Sequence, residues 1–213
     1  MTVDNKQGCF ITVEGTDGAG KTSVLATIEN WIVAQGHHVI TTREPGGTPL
    51  AEQIRDLLLT SREEKLADDA ELLMMMAARV QHVNTKIKPA LAQGTWVLSD
   101  RFLDASYAYQ GGGRGMSSVR IDALHEWAMG GFLPDLTILL DVPVEIGQAR
   151  VAHRGEEKTR FEEEKTAFFE RVRNAYLARA SQDPKRIVVI DARVDQAAVQ
   201  AAVVSALSQR WLA

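Results

Sequence analysis

One stretch decides the fold of this chain: Gly15-Thr16-Asp17-Gly18-Ala19-Gly20-Lys21-Thr22. An apolar run with the composition of a buried strand comes before it, and a segment of helical periodicity follows it. The stretch matches the phosphate-binding loop pattern G-x-x-x-x-G-K-[ST] in the context that this pattern requires, a strand before and a helix after. We therefore predict that residues 15–22 bind a nucleoside triphosphate.

The residue types in this loop fit that chemistry. Glycines allow successive backbone N–H groups to surround phosphate oxygens, and the positive end of the following helix adds to the attraction. The Lys21 ammonium is suited to the β- and γ-phosphates, and the Thr22 hydroxyl is suited to Mg²⁺. The alternative, a strand–helix turn that contains Lys-Thr by chance, does not account for the complete pattern.

Outward from the loop, short apolar runs alternate with longer segments of helical periodicity. The predicted strands are 9–14, 38–43, 96–100, 136–142 and 186–191, and the predicted helices are 20–35, 49–59, 69–92, 119–129, 144–154, 162–181 and 195–212. Strands that are apolar on both faces and alternate with helices are typical of a parallel sheet covered on both sides. We predict a single α/β domain over residues 1–213.

The composition excludes several classes of protein. The 213 residues are 45% hydrophobic and 24% charged, which is enough apolar material for a core and argues against disorder. Lys and Arg number 24 against 28 Asp and Glu, and this net charge of −4 argues against a protein that mainly binds nucleic acid. One cysteine, Cys9, excludes an internal disulfide framework, and neither a signal peptide nor a membrane helix is predicted. We expect a cytoplasmic protein.

Two segments break the alternation of strands and helices. The run Gln110–Gly115 is too rich in glycine for a helix interior, so we predict a mobile or tightly turned loop. The run His153–Glu164 is highly charged and almost without apolar residues, so we expect it to lie in solvent.

A phosphate-binding loop does not by itself identify a reaction, because GTPases, motors and small-molecule kinases share it. A GTPase should also carry an Asn-Lys-x-Asp guanine motif, which is absent from the sequence. A motor that moves along DNA should carry extra domains or a basic surface. The sequence therefore favours a kinase that acts on a small acceptor.

Three further motifs resemble one family. They are Thr42-Arg43-Glu44-Pro45-Gly46-Gly47-Thr48, then Asp100-Arg101-Phe102, and then Ser106-Tyr107-Ala108-Tyr109-Gln110-Gly111, with Arg79 between the first and the second. Together with the phosphate-binding loop, and over Phe10 to about Ala192, they resemble thymidylate kinase. The resemblance implies a P-loop NTPase-type fold with five parallel strands, usually a homodimer. It also implies transfer of the γ-phosphoryl of ATP to dTMP with Mg²⁺.

Arg101 has a clear chemical assignment. It follows a predicted strand directly, and ligands of open α/β sheets collect at the carboxyl ends of the strands. A guanidinium there is suited to hold a phosphate with two hydrogen bonds. The resemblance assigns Arg101 to the phosphate of the acceptor and Arg55 to the same phosphate.

The resemblance assigns four more residues around the phosphates and the sugar. Asp17 approaches the 3′-hydroxyl of the acceptor, and Glu44 lines the acceptor site. Pro45 matches a proline that is typically cis in the family. Asp100 is a weaker candidate for the surroundings of the Mg²⁺, as an acidic residue that ends a strand.

Base recognition is predicted on the helix 69–92 and on the loop after Arg101. The resemblance implies that Arg79 donates to O4 of thymine and that Ser106 and Gln110 face the base edge. Tyr109 matches a family tyrosine that crowds the 2′ position of the ribose. Two residues depart from the family pattern, Met75 where a Phe commonly stacks on thymine and Ala105 where a Ser is common.

A mobile lid is predicted over about 150–163. Some family members place an Arg at the position of Gly18 to contact the γ-phosphate, and members with Gly there supply arginines from a lid. Of the arginines in this segment, Arg150, Arg154 and Arg160, the resemblance makes the last two catalytic. From the residues alone, a solvated charge run remains the alternative.

Two other functions stay open at this point. One is a kinase for a different nucleoside monophosphate or for a deoxynucleoside, which Met75 and Ala105 keep possible. The other is an interaction protein that binds ATP without turnover, against which Lys21, Thr22 and Arg101 argue.

Overall fold

A computed structural model of the chain describes residues 8–152 and 159–212. Its five strands run parallel in the order β2-β3-β1-β4-β5. They are β1 (Phe10–Glu14), β2 (Val39–Arg43), β3 (Trp96–Asp100), β4 (Leu136–Asp141) and β5 (Ile187–Asp191). The predicted parallel α/β sheet is confirmed.

Helices alternate with the strands, as the periodicity predicted. They are α1 (Lys21–Ala34), α2 (Pro49–Leu59), α3 (Asp68–His82), α4 (Lys88–Ala92), α5 (Leu103–Ser106), α6 (Ser118–Met129), α7 (Val144–Ala152), α8 (Thr166–Gln182) and α9 (Gln196–Trp211). However, α5 was not predicted, and the predicted helix 162–181 begins only at Thr166. The π-helical turn Val83–Ile87 joins α3 to α4, so that the predicted helix 69–92 is continuous. Within residues 8–152 and 159–212, no helix is both long and apolar enough to cross a membrane.

Apolar residues on both faces of the sheet are covered. On one face, Ile11 and Val13 of β1 pack with α1 and α9 around Trp31 and Trp96. On the other face, Phe10 of β1 packs with α3 and α6. Because side chains alternate along a strand, burial of both faces favours apolar residues on each of them, and β1 supplies Phe10, Ile11 and Val13. Its two polar residues, Thr12 and Glu14, are fully buried and hydrogen-bonded.

The glycine-rich segment corrects the prediction of a loop at Gln110–Gly115. Residues Tyr107–Gly113 form a π-helical stretch that packs against α8. A Cβ atom on Gly112 would lie 2.5 Å from the Cβ of Ala175, and one on Gly113 would lie 2.5 Å from the Phe168 ring. Gly112 and Gly113 are therefore required because α8 packs directly against the backbone of this stretch. A turn was predicted there only because glycine is frequent in loops.

The strand order brings the predicted site together. The chain runs from β1 to the edge strand β2, returns to β3 beside β1, and then crosses to β4 on the other side of β1. Val13 pairs with Asp100, and Arg43 also pairs with Asp100, so the carboxyl ends of three strands lie side by side. A crevice outside the strand ends at such a crossing is where open α/β sheets bind ligands.

Glu14 ends β1 and is fully buried. Its Oε1 accepts a hydrogen bond from the Phe102 backbone N–H at 2.7 Å, and its Oε2 accepts one from the Tyr176 hydroxyl at 2.7 Å. Burial, assisted by the negative charge of Asp104, raises the pKa of the Glu14 carboxyl to about 8. Glu14 thus joins the first strand to the segment after β3 and to α8 while holding a proton.

We expect Glu14 to make stability depend on pH. The native carboxyl keeps its proton up to pH about 8, and the unfolded carboxyl loses it near 4.5, so the native state binds more protons between these values. Its contribution is therefore complete below pH 4.5 and falls as the pH rises to 8, by at most about 1.4 kcal/mol per pH unit. Urea unfolding of the wild type and of Glu14→Gln from pH 5 to 8 gives the free energy of unfolding of each protein as a function of pH. The same pH dependence in both proteins would contradict this prediction.

Candidate active site

The phosphate-binding loop connects β1 to α1 and packs against α7. Gly18 has a φ of +78°, and a Cβ atom there would lie 2.2 Å from the carbonyl oxygen of Gly147. A Cβ atom on Gly147 would in turn lie 2.7 Å from the carbonyl oxygen of Asp17. Gly18 and Gly147 therefore allow the backbone of the loop to contact the backbone of α7 directly. The side chain of an arginine at position 18 would collide with α7.

Lys21 lies over the loop. Its Nζ is 3.4 Å from the carbonyl oxygen of Gly15, 3.3 Å from that of Thr16 and 3.7 Å from Oδ1 of Asp17. Burial, together with the nearby charge of Arg101, lowers the pKa of the Lys21 ammonium. The Lys21 ammonium thus lies near two neutral carbonyl oxygens and one carboxylate. A phosphate oxygen that binds in the loop would give it a second, negatively charged partner.

Arg101 is held from two sides in a conformation that few residues adopt. Its φ is +68°, a region that costs a residue other than glycine about 1–3 kcal/mol. Its Nη2 donates to Oδ1 of Asp17 at 2.7 Å, and its guanidinium lies 4.9 Å from the centre of the Tyr109 ring. Its buried Nε has no hydrogen-bond partner among the described residues. Arg101 is therefore oriented at the carboxyl end of β3 before a ligand binds.

A cavity of about 530 Å³ opens beside these residues. It has the size of a site for a small ligand. Of the predicted residues, those that line it are Asp17, Gly18, Gly20, Lys21, Thr22, Glu44, Pro45, Arg55, Met75, Asp100, Arg101, Tyr109 and Gln110. Residues around the loop and residues assigned to the acceptor thus share one cavity.

The cavity also has lining residues that were not assigned to ligand contact from the sequence. Leu59 is new, Arg43 was noted only within a motif, and Arg150, Thr159, Phe161 and Glu162 were predicted only as part of the lid 150–163. Ala105, one of the two departures from the family pattern, also lines the cavity. Phe161 is 6% exposed, so the expectation that 153–164 lies in solvent is wrong at this residue. A single aromatic residue in a charged run was the signal that could have found it.

The apolar end of the cavity is built on α3 and on the π-helical stretch. Met75, on α3, packs in the same cluster as Tyr109 and Phe161. The rings of Tyr109 and Phe161 meet edge to face, with centroids 5.7 Å apart. Burial raises the pKa of the Tyr109 hydroxyl, and the nearby charge of Arg101 opposes this rise only in part, so the hydroxyl stays protonated. A flat apolar ligand can bind against these side chains.

Arg79 and Ser106 do not line the cavity but lie directly behind it. Nε of Arg79 donates to Glu44 at 2.6 Å, Nη1 donates to the Ser106 hydroxyl at 2.9 Å, and Nη2 donates to the carbonyl of Phe102 at 3.0 Å. The other oxygen of Glu44 lies 2.9 Å from Nδ1 of His82. Glu44 therefore connects the cavity wall to a buried network that holds Arg79.

Arg55 enters the cavity from α2. Its Nη1 donates to the carbonyl of Pro45 at 2.8 Å, and the Glu44–Pro45 peptide bond is cis. The cis bond expected from the family resemblance is therefore present. Arg55 and Arg101 both line the cavity and can hold one anion between them.

The candidate metal ligands lie at the mouth of the loop. Oδ1 of Asp100 is buried without a hydrogen-bond partner among the described residues, and the Thr22 hydroxyl lines the same cavity. A carboxylate oxygen and a hydroxyl that line one cavity are oxygen ligands of the kind that a hard cation such as Mg²⁺ prefers. Within the described part of the chain, no group of three or more His, Cys, Asp and Glu residues is suited to hold a metal.

The predicted lid is described in part. Arg150, at the end of α7, donates to the carbonyl of Gly18 at 3.3 Å and to that of Ala192 at 3.2 Å. Arg154 lies outside the described residues. Nη2 of Arg160 donates to Glu71 at 2.7 Å and its Nε donates to the carbonyl of Leu58 at 2.9 Å, so this guanidinium is held away from the cavity. Its catalytic assignment stays a prediction.

Comparisons with known proteins agree with this geometry. Residues 13–203 match the family model described as thymidylate kinase. The thymidylate kinase of Chromohalobacter salexigens is 53% identical over 204 residues, which cover 95% of this chain and 96% of the relative. That of Pseudomonas entomophila is 55% identical over 196 residues, with 92% and 93% covered. A crystal structure of thymidylate kinase from Ehrlichia chaffeensis matches with a TM-score of 0.76 and 32% identity, covering 94% of this chain and 98% of that one.

Proposed function

The chain belongs to the thymidylate kinase family and phosphorylates dTMP to dTDP with ATP, and from this premise we propose how its residues carry out the transfer. The observation that supports the proposal most is the shared cavity, in which the phosphate-binding loop and two arginines face the same space. ATP is proposed to bind with its phosphates in the loop 15–22. The acceptor is proposed to bind between Arg101 and Met75.

The reaction joins one phosphate to another. A phosphate oxygen of dTMP attacks the γ-phosphorus of ATP, and a new P–O bond forms as the bond to the β,γ-bridging oxygen breaks. That oxygen leaves with its electron pair as part of ADP. Lys21 stabilises the charge on the transferred group and on the leaving oxygen, while Arg55 and Arg101 neutralise the attacking phosphate that would otherwise be repelled.

Asp17 has a double task in this proposal. Its carboxylate holds Arg101 at 2.7 Å and, on the strength of the family resemblance, approaches the 3′-hydroxyl of the acceptor. The same side chain would then orient both the sugar and the arginine that holds its phosphate. Arg154 and Arg160 are proposed to approach the γ-phosphate when a lid closes, as the resemblance implies.

Mg²⁺ is the proposed cofactor. When bound it neutralises the phosphate oxygens of ATP, and hydroxyl and carboxylate oxygens suit it. Thr22 is proposed as its ligand and Asp100 as a partner through water, which gives the orphaned Oδ1 of Asp100 a hydrogen bond. Loss of turnover on chelation, and its return on addition of Mg²⁺, tests this assignment.

The acceptor base is proposed to lie on Met75, with its edge facing Gln110. Arg79 and Ser106 lie behind the cavity wall, so their contact with the base is proposed to need a shift of the Arg79 guanidinium toward the cavity when the acceptor binds. Arginine donates and does not accept, so Arg79 favours the O4 acceptor of thymine over the amino group of cytosine. Tyr109 is proposed to crowd the 2′ position of the sugar. The thioether of Met75 supplies a sulfur–aromatic contact worth about 0.3–1.5 kcal/mol in place of a stacked ring.

A panel of acceptors tests this reading of the base. In an assay that couples ADP release to NADH oxidation, we expect dTMP to be the best acceptor. For dUMP we expect about a fourfold lower kcat/KM, because it lacks one methyl group worth about 0.8 kcal/mol. For dCMP and AMP we expect losses of at least about tenfold, because a donor would face a donor or the ring would not fit. Equal use of dCMP and dTMP would contradict the assignment of Arg79.

A homodimer is proposed as the working form. Val119, Ala123 and Trp127 lie four residues apart on α6 and are exposed, with Trp127 85% exposed. A large exposed apolar stripe is costly in water and is typical of a surface covered by a partner. Light scattering on the wild type and on Trp127→Glu tests whether a second copy covers it.

The setting of the enzyme follows from its substrates. Cytoplasm is proposed, where pools of ATP and nucleotides are held and where the single thiol of Cys9 stays reduced. A single domain, residues 1–213, is proposed to carry the whole activity. One sheet contains all five described strands, which supports it.

A further inference from the structure

Glu71 has no assigned function, yet it is fully buried directly behind the acceptor pocket. It lies on α3 one turn before Met75, which lines the cavity. A carboxylate without solvent must be compensated by hydrogen bonds or charge. The groups that compensate Glu71 show what it does.

Three side chains donate to this carboxylate. Nε2 of Gln110 donates to Oε1 at 2.8 Å, Nη2 of Arg160 donates to Oε2 at 2.7 Å, and Arg114 donates at 3.3 Å and 3.2 Å to the two oxygens. Burial raises the pKa of Glu71, but donation from Gln110 and the charge of Arg114 outweigh it and hold the pKa below its usual value. Glu71 is therefore ionised.

An ionised carboxylate accepts hydrogen bonds and does not donate them. The amide of Gln110 must therefore turn its NH₂ group toward Glu71, which leaves its carbonyl oxygen on the opposite side. Gln110 lines the cavity, and no described residue donates to that oxygen. The pocket is thus given a hydrogen-bond acceptor whose orientation is set from behind.

We propose that Glu71 is a positioning residue that fixes the Gln110 amide, so that the acceptor site prefers a pyrimidine with an N3–H donor. Thymine and uracil carry that donor, whereas N3 of cytosine is an acceptor and would face the Gln110 oxygen. This inference rests on the proposed place of Gln110 at the base edge. Arg114 supports it, because it donates to both oxygens of Glu71 whether or not Arg160 leaves Glu71 when the lid closes.

The first test is Glu71→Gln, which introduces an uncharged side chain of the same shape. The introduced amide can present either its oxygen or its NH₂ group, so the Gln110 amide is free to turn. We expect the ratio of the dissociation constants for dCMP and dTMP, measured by calorimetry, to fall by about tenfold, as for one mismatched hydrogen bond. The wild type and the variant are each measured at the same number of degrees below their own melting temperature.

A swapped variant separates positioning from a structural effect. In the double variant Glu71→Gln with Gln110→Glu, the amide at position 71 donates to the carboxylate at position 110. The second oxygen of that carboxylate again faces the base. We expect the preference for dTMP to return to within about threefold of the wild type, because the same pattern of donors and acceptors is restored. A merely structural role of Glu71 would not be rescued by an exchange of the two side chains.

The matched control is Glu164→Gln, which removes another carboxylate that pairs with Arg114 but does not contact Gln110. Its ratio should equal that of the wild type. Glu71→Asp keeps the charge that the arginines need and withdraws the carboxylate by one bond. We expect it to lose part of the preference, and it carries the test if Glu71→Gln does not fold.

An unchanged ratio in folded Glu71→Gln, or in Glu71→Asp if that variant carries the test, would overturn the inference. A swapped variant that is no better than the single one would do the same. Gln110→Met locates the failure. If it lowers the ratio while Glu71→Gln does not, the base-edge place of Gln110 stands and only the assignment of Glu71 fails. If Gln110→Met also leaves the ratio unchanged, both fail.

Discussion

We expect the replacement of Lys21 with Ala to lower kcat/KM for phosphoryl transfer to dTMP by about 1,000-fold, the upper range for one charged donor at a transition state. The Lys21 ammonium lies within 3.4 Å of two carbonyl oxygens of the loop, where it reaches any phosphate that the loop holds. Alanine leaves the developing charge on the transferred group without a cation. The apolar clusters of the core do not include Lys21, so the fold should persist.

Steady-state kinetics with varied dTMP and saturating ATP measure this loss, and circular dichroism with thermal melting checks the fold. Lys86→Ala is the matched control, because its Nζ donates to the carbonyl of Gly47 at 3.1 Å and it does not line the cavity. We expect its kcat/KM to stay within about threefold of the wild type, as for a surface change. Turnover near the wild-type value in folded Lys21→Ala would refute the assignment of residues 15–22.

We expect the replacement of Arg101 with Ala to lower kcat/KM for dTMP by about 100- to 1,000-fold while ATP still binds. Arg101 is oriented by Asp17 at 2.7 Å and by the Tyr109 ring, so its guanidinium is already in place when the acceptor arrives. The expected decrease has two causes: the contact between Arg101 and the acceptor phosphate is lost, and the repulsion between the acceptor phosphate and the γ-phosphate is no longer neutralised.

Arg101→Lys should recover little of this loss. An ammonium carries the same charge, but it lacks the planar fork that holds a phosphate with two bonds and the face that stacks on Tyr109. Arg210→Ala, which removes an exposed guanidinium bonded to the carbonyl of Asp135 at 3.3 Å, is the control. Titration with a non-hydrolysable ATP analogue separates donor binding from acceptor binding. Full recovery in Arg101→Lys would show that a point charge is enough.

The parts of the fold that were predictable have a local cause. Strands buried on both faces are rich in apolar residues, and the helices between them carry a 3.6-residue period, so both patterns are readable from neighbouring residues. The loop 15–22 was also predictable from neighbouring residues, because its glycines, Lys21 and Thr22 all lie within eight consecutive positions. Each predicted strand lies within one residue of its observed bounds.

The glycine-rich segment marks the limit of such local reasoning. Glycine is frequent in loops and is also required where another element packs directly against the backbone. Which of these reasons applies depends on the element that packs against the glycine in the folded chain. At Gly112 and Gly113 that neighbour is α8, whose residues 168–175 are more than 50 positions away. No local pattern carries this information.

What the sequence by itself determined is the sheet, the nucleotide loop and the residue types around it, because these follow from periodicity and from motifs of short span. Only the tertiary structure decided which side chains face the ligand and which stand behind it. Arg79 is placed behind the cavity by Glu44, and Phe161 is drawn into it by Tyr109. Glu71 is ionised because residues 39, 43 and 89 positions away donate to it. The free energy of a buried charge depends on partners that meet only when the chain has folded.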